Sequence, residues 1–255
     1  MLTNGEGRVA FVTGGARGIG QAIVSGLAED GLAVVIADLR LSEAQETAAS
    51  ILAGGGQALA VELDVTNAAS VESGVQAARD HFGRLDVLVN CAGWDELMPF
   101  LDTDEAFWDR VIEINFKGAL RLTQALLPEM IERKWGRIVS IGSDAGRVGS
   151  SLEAVYSGAK GGLIAFTKTM AREVARSSVT VNVVCPGPTD TPFLQETADK
   201  AENSEAVLAS MAKSVPMRRL ARPEEIAAAV RFFADQSAGY ITGQTLSVSG
   251  GLTMA

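Results

Sequence analysis

Histidine and cysteine are almost missing from this 255-residue chain: His81 is the single histidine, and Cys91 and Cys185 are the only thiols. One histidine rules out Ser-His-Asp triads and histidine-rich metal centres. Two cysteines in separate apolar segments supply neither a disulfide framework nor a four-thiolate zinc site. No resident metal is expected, and the thiol usage points to the reducing cytosol. Basic residues are also in short supply. The chain has 22 Lys and Arg against 31 Asp and Glu, a net charge of −9. That charge repels a phosphate backbone, and no basic tract compensates, so nucleic acid is not an expected partner. No apolar run approaches the ~18 residues needed to cross a bilayer. The first such run, Val9 to Thr13, leads straight into a glycine loop and reads as a buried strand, not as a signal peptide. A soluble, cytoplasmic protein without membrane contact is expected.

The hydrophobic residues, 47% of the chain, fall into short β-branched runs separated by alanine-rich helical stretches. Strands are predicted near Arg8–Thr13, Ala33–Asp38, Ala58–Leu63, Val87–Asn90, Arg137–Ile141, Thr180–Cys185 and Thr245–Val248. Helices are predicted over Ser42–Ala53, Ala68–Phe82 and Ala159–Arg176. Strict alternation of this kind implies an α/β fold: a single doubly wound, Rossmann-type domain over residues 1–255, with a seven-stranded parallel sheet and helices on both faces. Gly54-Gly55-Gly56 reads as a turn without a ligand. The stretch 189–215, with Pro192 and Pro216 near its ends, has weak periodicity and reads either as a substrate lid or as a plain surface excursion.

Thr13-Gly14-Gly15-Ala16-Arg17-Gly18-Ile19-Gly20 joins the first strand to the first helix. Glycines there let backbone amides reach a pyrophosphate at a helix N-terminus. Taken alone, the loop fits a tight turn or an S-adenosylmethionine site equally well. Asp38, closing the second strand eighteen residues after Gly20, favours a dinucleotide, because its carboxylate accepts from ribose hydroxyls and repels a 2′-phosphate. NAD is therefore preferred to NADP, although Arg17 or Arg40 is placed to meet a 2′-phosphate. Gly14, Arg17, Gly18, Ile19, Gly20, Asp38 and Leu39 are the candidate cofactor residues at this end. Asp64 and Val65 after the third strand, and Asn90, Ala92 and Gly93 after the fourth, extend the set along the same sheet edge.

Tyr156 and Lys160, four residues apart, share one helical face, and Ser143 precedes them. An unperturbed tyrosine titrates near ~10, so a base working near neutrality needs a neighbouring cation, and Lys160 is positioned to supply one. The same pair, met in isolation, also fits an ordinary exposed helix surface.

Together these segments resemble the short-chain dehydrogenase/reductase family from Arg8 nearly to the C-terminus. The resemblance implies that Asn115, Ser143, Tyr156 and Lys160 are the catalytic set, with Asn115 anchoring a relay water. It implies that Asp64 contacts adenine, and that Pro186, Gly187, Thr189 and Thr191 of Pro186-Gly187-Pro188-Thr189-Asp190-Thr191 hold the nicotinamide carboxamide. Tyr156 and Lys160 then also touch the cofactor. Cys91 departs from the family pattern, which has asparagine there. Ala92-Gly93-Trp94-Asp95, Ser143 to Ser151 and Val184 to Thr191 are similar to the branch of the family that oxidises 2-hydroxycyclohexanecarboxyl-CoA.

The implied activity is NAD-dependent interconversion of a secondary alcohol and a ketone on a cyclic or acyl-CoA-linked substrate. The alternative within the family is a 3-oxoacyl-thioester reductase or general carbonyl reductase, with NADP as a second cofactor choice. A non-catalytic nucleotide-binding protein is the remote alternative. Trp94 and Phe193 are candidates to wall a ring, and Arg147 is a candidate for a carbonyl or anionic group. Each has an ordinary reading in loop packing or at a subunit contact. Lys213, Arg218, Arg219 and Arg222 either meet a CoA nucleotide or form a solvated helix start. The resemblance further implies a homotetramer.

Overall fold

Strands buried on both faces belong in the middle of a helix-covered parallel sheet. The computed structural model, which describes residues 7–200 and 203–254, shows this arrangement. Residues 1–6 and 255 of the single-domain span, and 201–202 of the 189–215 stretch, lie outside the described residues. Strands β1 (Val9–Thr13), β2 (Ala33–Asp38), β3 (Ala58–Glu62), β4 (Val87–Asn90), β5 (Gly136–Ile141), β6 (Val179–Pro186) and β7 (Thr245–Val248) form one sheet in the order β3-β2-β1-β4-β5-β6-β7. All pairings are parallel.

The pleat sends alternate residues to opposite faces. Phe11, Val35, Leu88 and Ile138 pack on α3 (Ala68–Phe82), α5 (Gly118–Glu132) and α7 (Ala154–Val174). Val12, Val34, Ile36, Val89 and Val139 pack against α1 (Gly18–Glu29), α2 (Leu41–Ala53) and α10 (Pro223–Ala234). The chain leaves β1 for β2 and β3 on one side, then crosses back to start β4 on the other. At that reversal the strand ends diverge and open a crevice at the carboxyl edge.

Local chemistry explains most boundaries. Asn67 caps α3 by accepting from the amides of Ala69 and Ser70, and Gly83 ends it in the left-handed region at φ 75°. His81 is exposed in the last turn of α3. Three features depart from expectation. Helix α7 starts at Ala154, five residues before the predicted Ala159, so Tyr156 sits in its first turn. Between α4 (Glu105–Ile112) and α5 lies a π-helical segment, Glu113–Lys117, whose wider turn carries Asn115 inward. The 189–215 stretch is not irregular but forms two helices, α8 (Pro192–Ala198) and α9 (Ser204–Ser214), with α6 (Ala145–Val148) earlier in the chain.

The entry to the central strands rests on a fully buried carboxylate, Asp86. It accepts from the Val9 amide at 3.0 Å and from Arg84 at 2.8 and 2.7 Å. Removing it strands a buried amide and an arginine, a loss in the range of about 2–3 kcal/mol. Asp86→Ala is therefore expected to lower the unfolding free energy by about that amount in urea titrations. A change below about 0.5 kcal/mol would show that the carboxylate is not the keystone of this edge.

Candidate active site

The crevice at the reversal of strand order is a cleft of about 1110 Å³. Its walls include Gly14, Arg17, Gly18, Ile19, Gly20, Asp38, Leu39, Asp64, Val65, Ala92, Gly93, Ser143, Tyr156, Lys160, Pro186, Gly187, Thr189 and Thr191. Asn90 and Asn115 stand one layer behind, on a small cavity of about 10 Å³ shared with Thr13 and Lys160. Residues distant in sequence thus meet because six strands deliver their carboxyl ends to one edge.

At one end the backbone is shaped for a diphosphate. Gly14 has φ 65°, and a Cβ there would lie 2.9 Å from the Ala92 Cα. A Cβ on Gly20 would lie 1.9 Å from the Gly14 carbonyl oxygen. Only glycine permits this packing of loop, helix and neighbouring strand. Helix α1 opens here, and its N-cap residue Arg17 makes no side-chain capping bond, which leaves amide donors and the positive helix end facing the cleft. The cradle therefore fits the nicotinamide dinucleotide that the sequence suggests.

Asp38 is held rigidly: Oδ2 accepts from the Ala16 amide at 3.1 Å and Oδ1 from the Arg40 amide at 3.0 Å. Each oxygen keeps a second lone pair. The two arginines that argue for a 2′-phosphate are both engaged elsewhere. Arg17 pairs with Glu196 of α8, with Nη2 to Oε2 at 3.2 Å, and Arg40 pairs with Glu43 at 3.4 Å. Asp64 is turned to its own loop, accepting from the Thr66 amide at 2.8 Å and hydroxyl at 2.7 Å. Thr189 and Thr191 hydroxyls bond the carbonyls of Gly187 and Thr189, and Thr191 caps α8 by accepting from Leu194.

At the other end, Tyr156 is half-buried beside Ser143. Burial pushes the phenol above its usual range, Glu153 adds to the rise, and a hydrogen bond with Ser143 opposes it. Lys160 is 3% exposed, and burial lowers its ammonium to about 8. Its Nζ donates to the Ile141 carbonyl at 2.8 Å and lies 5.5 Å from the Tyr156 ring centroid. Burial alone thus favours the neutral phenol, whereas the sequence reading looks to Lys160 to favour the phenolate. Asn115, 2% exposed, spends its amide on backbone. It donates to the carbonyls of Trp94 at 2.6 Å and Val111 at 2.9 Å, and accepts from the Trp94 amide at 3.3 Å.

Burial disfavours the thiolate form of both cysteines. Burial pushes Cys91 up to about 12 and Cys185 up to about 11. The departure at Cys91 leaves the local bonding to backbone, since the amides of Cys91 and Ala92 donate to the Thr13 hydroxyl at 3.1 and 3.2 Å. Trp94 lines the cleft, its ring stacked under the Arg110 guanidinium at 3.7 Å and edge-on to Phe107. Phe193 lines the cleft as well. Arg147 does not: it donates to Ser247 at 2.6 Å, and Ser247 in turn donates to Asp144. Arg218, Arg219 and Arg222 lie outside the cleft walls, and Arg219 is paired with Glu225 at 2.6 Å, as a solvated helix start requires. Sequence reasoning gave no role to Asp95 and Glu153, both of which line the cleft. The signal for Asp95 was an acid placed directly after Gly93-Trp94 at a strand end.

A parallel sheet with a glycine cradle at its switch point, opening beside a Ser, Tyr and Lys cluster, defines an NAD(P)-dependent oxidoreductase. The family model described as enoyl-(acyl carrier protein) reductase matches residues 14–253. The chain belongs to the short-chain dehydrogenase/reductase family. It is 43% identical over 251 residues to the 3-oxoacyl-[acyl-carrier-protein] reductase FabG of Vibrio cholerae, covering 98% of this chain and 99% of that protein. It is 41% identical over 249 residues to the 3-oxoacyl-[acyl-carrier-protein] reductase of Synechocystis, with 97% of each covered. The short-chain reductase protein NovJ of Streptomyces niveus is 39% identical over 244 residues, with 95% of this chain and 93% of that one covered. Among the described residues no helix is long and apolar enough to cross a membrane, and no group of His, Cys, Asp and Glu is arranged to hold a metal ion.

The Thr13 hydroxyl carries two amides at the β4 end, so its loss is expected to loosen that edge. Thr13→Val should cost about 1–3 kcal/mol in denaturant unfolding, while Thr13→Ser, which keeps the oxygen, should cost less than about 1 kcal/mol. Equal losses in the two variants would assign the effect to packing instead.

Proposed function

We propose that this enzyme reduces the 3-oxo group of an acyl thioester to a secondary alcohol, with NADH as the preferred reductant. The observation that carries this reading is the grouping of Ser143, Tyr156 and Lys160 on the wall of the cleft that the glycine loop opens, where burial favours the neutral form of the Tyr156 phenol. A neutral phenol in a cleft is a proton donor, and a ketone being reduced needs one at its oxygen. The bound nicotinamide supplies the hydride to the carbonyl carbon. Ser143 holds the carbonyl oxygen and stabilises the charge that develops on it, while Tyr156 delivers the proton to the same oxygen. Lys160, with a pKa of about 8, is charged at neutrality and able to pass a proton on toward Tyr156. The cavity of about 10 Å³ between Asn115 and Lys160 is at the lower limit for one water molecule. Asn115 contributes by holding Trp94 and the Gly93 turn against Lys160. The names of the FabG-type relatives point to the same substrate class.

The cyclic substrate suggested by the sequence belongs to that class chemically. In 2-hydroxycyclohexanecarboxyl-CoA the carbinol carbon is also two bonds from a thioester carbonyl. The fixed Trp94 ring gives the cleft a flat apolar wall, which favours the cyclic member as a second reading. Turnover of acetoacetyl-CoA against the 2-oxocyclohexane thioester separates the two. The reading also takes α8 and α9, within 189–215, as the substrate lid. It includes a cytosolic homotetramer, for which Tyr240, Phe232 and Leu246 offer exposed apolar surface.

Preference for NADH rests on Asp38, fixed by two amides while Arg17 and Arg40 are paired elsewhere. Asp38→Asn keeps an acceptor for the Ala16 amide but removes the charge. It is expected to shift the NADPH-to-NADH ratio of kcat/KM by roughly tenfold toward NADPH. An unchanged ratio would remove the basis for the preference. Tyr156→Phe is expected to abolish most turnover while NADH still quenches protein fluorescence with near-parental affinity. Steady-state rates within about tenfold of the parent, only ~1.4 kcal/mol of barrier, would overturn the role given to the phenol.

A further inference from the structure

A 3-oxoacyl thioester carries two carbonyl oxygens, and the donors described so far account for one. Tyr156 and Ser143 address the oxygen that is reduced. The thioester oxygen, two carbons away, is a neutral acceptor that needs a donor of its own if the cleft is to tell this substrate from a simple ketone. Asp95 is the side chain in the right place. It follows Trp94 in the turn after β4, lines the cleft, and is only 6% exposed. Its Oδ2 is buried without a hydrogen-bond partner, so the carboxyl is desolvated on that side and can meet a ligand only through the rest of the group. It is close enough to Tyr156 for its charge to be felt at the phenol.

The surroundings decide which form of Asp95 persists. Facing it are Glu153, just before α7, the adjacent Glu96, and Lys160 and Tyr156 on α7. The Glu96 amide bonds it, but two of these neighbours are acids, and Lys160 already donates to the Ile141 carbonyl. Burial first, then Glu153 and Glu96, raise the Asp95 carboxyl to about 7. A desolvated carboxylate with an empty oxygen is unfavourable, whereas a carboxylic acid there has one O–H to give.

We propose that Asp95 determines specificity for 3-oxoacyl substrates by donating a hydrogen bond from its neutral carboxyl to the acyl carbonyl oxygen. This rests on the function proposed above and adds the group that reads the second oxygen. Ionisation turns the donor into an acceptor facing an acceptor. Recognition is therefore present at low pH and is lost as the pH rises through the carboxyl's titration. Tyr156 and Lys160 also titrate with pH, but they act on the reacting oxygen, which a simple ketone shares. The signature of Asp95 is thus confined to the ratio between substrates.

The test compares ethyl 3-oxobutanoate with 2-heptanone, a chain of the same length lacking the second carbonyl, in the NADH-coupled assay. Discrimination is the ratio of their kcat/KM values. In the parent it is expected to fall by roughly fivefold from about pH 6 to about pH 8.5. Asp95→Ala is expected to lose about tenfold more on the oxoester than on the ketone at the lower pH. Asp95→Asn, whose amide donates at every pH, should keep the parental discrimination and lose its pH dependence. NADH fluorescence checks that each variant is folded. If Asp95→Ala does not bind NADH, Asp95→Asn decides alone: a flat pH profile supports the proposal and a parental one overturns it. Equal losses on both substrates in Asp95→Ala, or discrimination in the parent that does not change with pH, overturn the specificity role and leave the proposed function standing. A parent that reduces the ketone but neither the oxoester nor acetoacetyl-CoA overturns both.

Discussion

The close approach of β1 and β4 at their carboxyl ends is the constraint on which this molecule depends. Thr13 bonds the amides of Cys91 and Ala92, and Gly14 brings its backbone to a distance from Ala92 that no side chain could share. That contact fixes the glycine loop on one side and the Gly93-Trp94-Asp95 turn on the other. A strand pairing thereby becomes the common floor of the dinucleotide cradle and the substrate end. Asn115, swung inward by its π-helical turn, then ties the same turn to the helix behind it. The geometry of the reacting groups is inherited from backbone contacts, which tolerate less movement than contacts between side chains.

Desolvation is the second organising force. Along the substrate side of the cleft it moves three groups in the directions that neutralise them: Tyr156 and Asp95 toward their acids, Lys160 toward its base. A site of this kind stores little net charge and is suited to a neutral substrate. The two thiols, pushed far above neutrality by the same cause, take no part.

The sheet was legible in the sequence because its strands are short runs rich in β-branched residues set between helical stretches, and Val87–Asn90 and Thr245–Val248 match residue for residue. The cofactor end was legible for a related reason: glycines and a strand-end aspartate sit at fixed offsets along one chain segment. Three things were not. The first turn of α7 runs through Tyr156-Ser157-Gly158, where a glycine weakens helix propensity and tertiary packing overrides it. The π turn at Asn115 has no sequence signature, since it depends on how α4 and α5 join. The bond from Lys160 to the Ile141 carbonyl could not be read either, because four-residue spacing places two side chains on a face without saying which partner each will choose. Arg147 shows the same limit: its spacing from Ser143 suggested the cleft, but a serine on β7, distant in sequence, claims it.

The ion pair between Arg17 and Glu196 has a kinetic implication. It fastens the glycine loop to α8, the first helix of the 189–215 stretch, and it does so in partial contact with solvent. Any outward swing of that helix must break the pair, which leaves the loop arginine free at the same moment. In the function proposed above, departure of product and exchange of spent nucleotide would therefore share a single latch. Because dissolved ions screen such a latch, ionic strength would then act on both exits together.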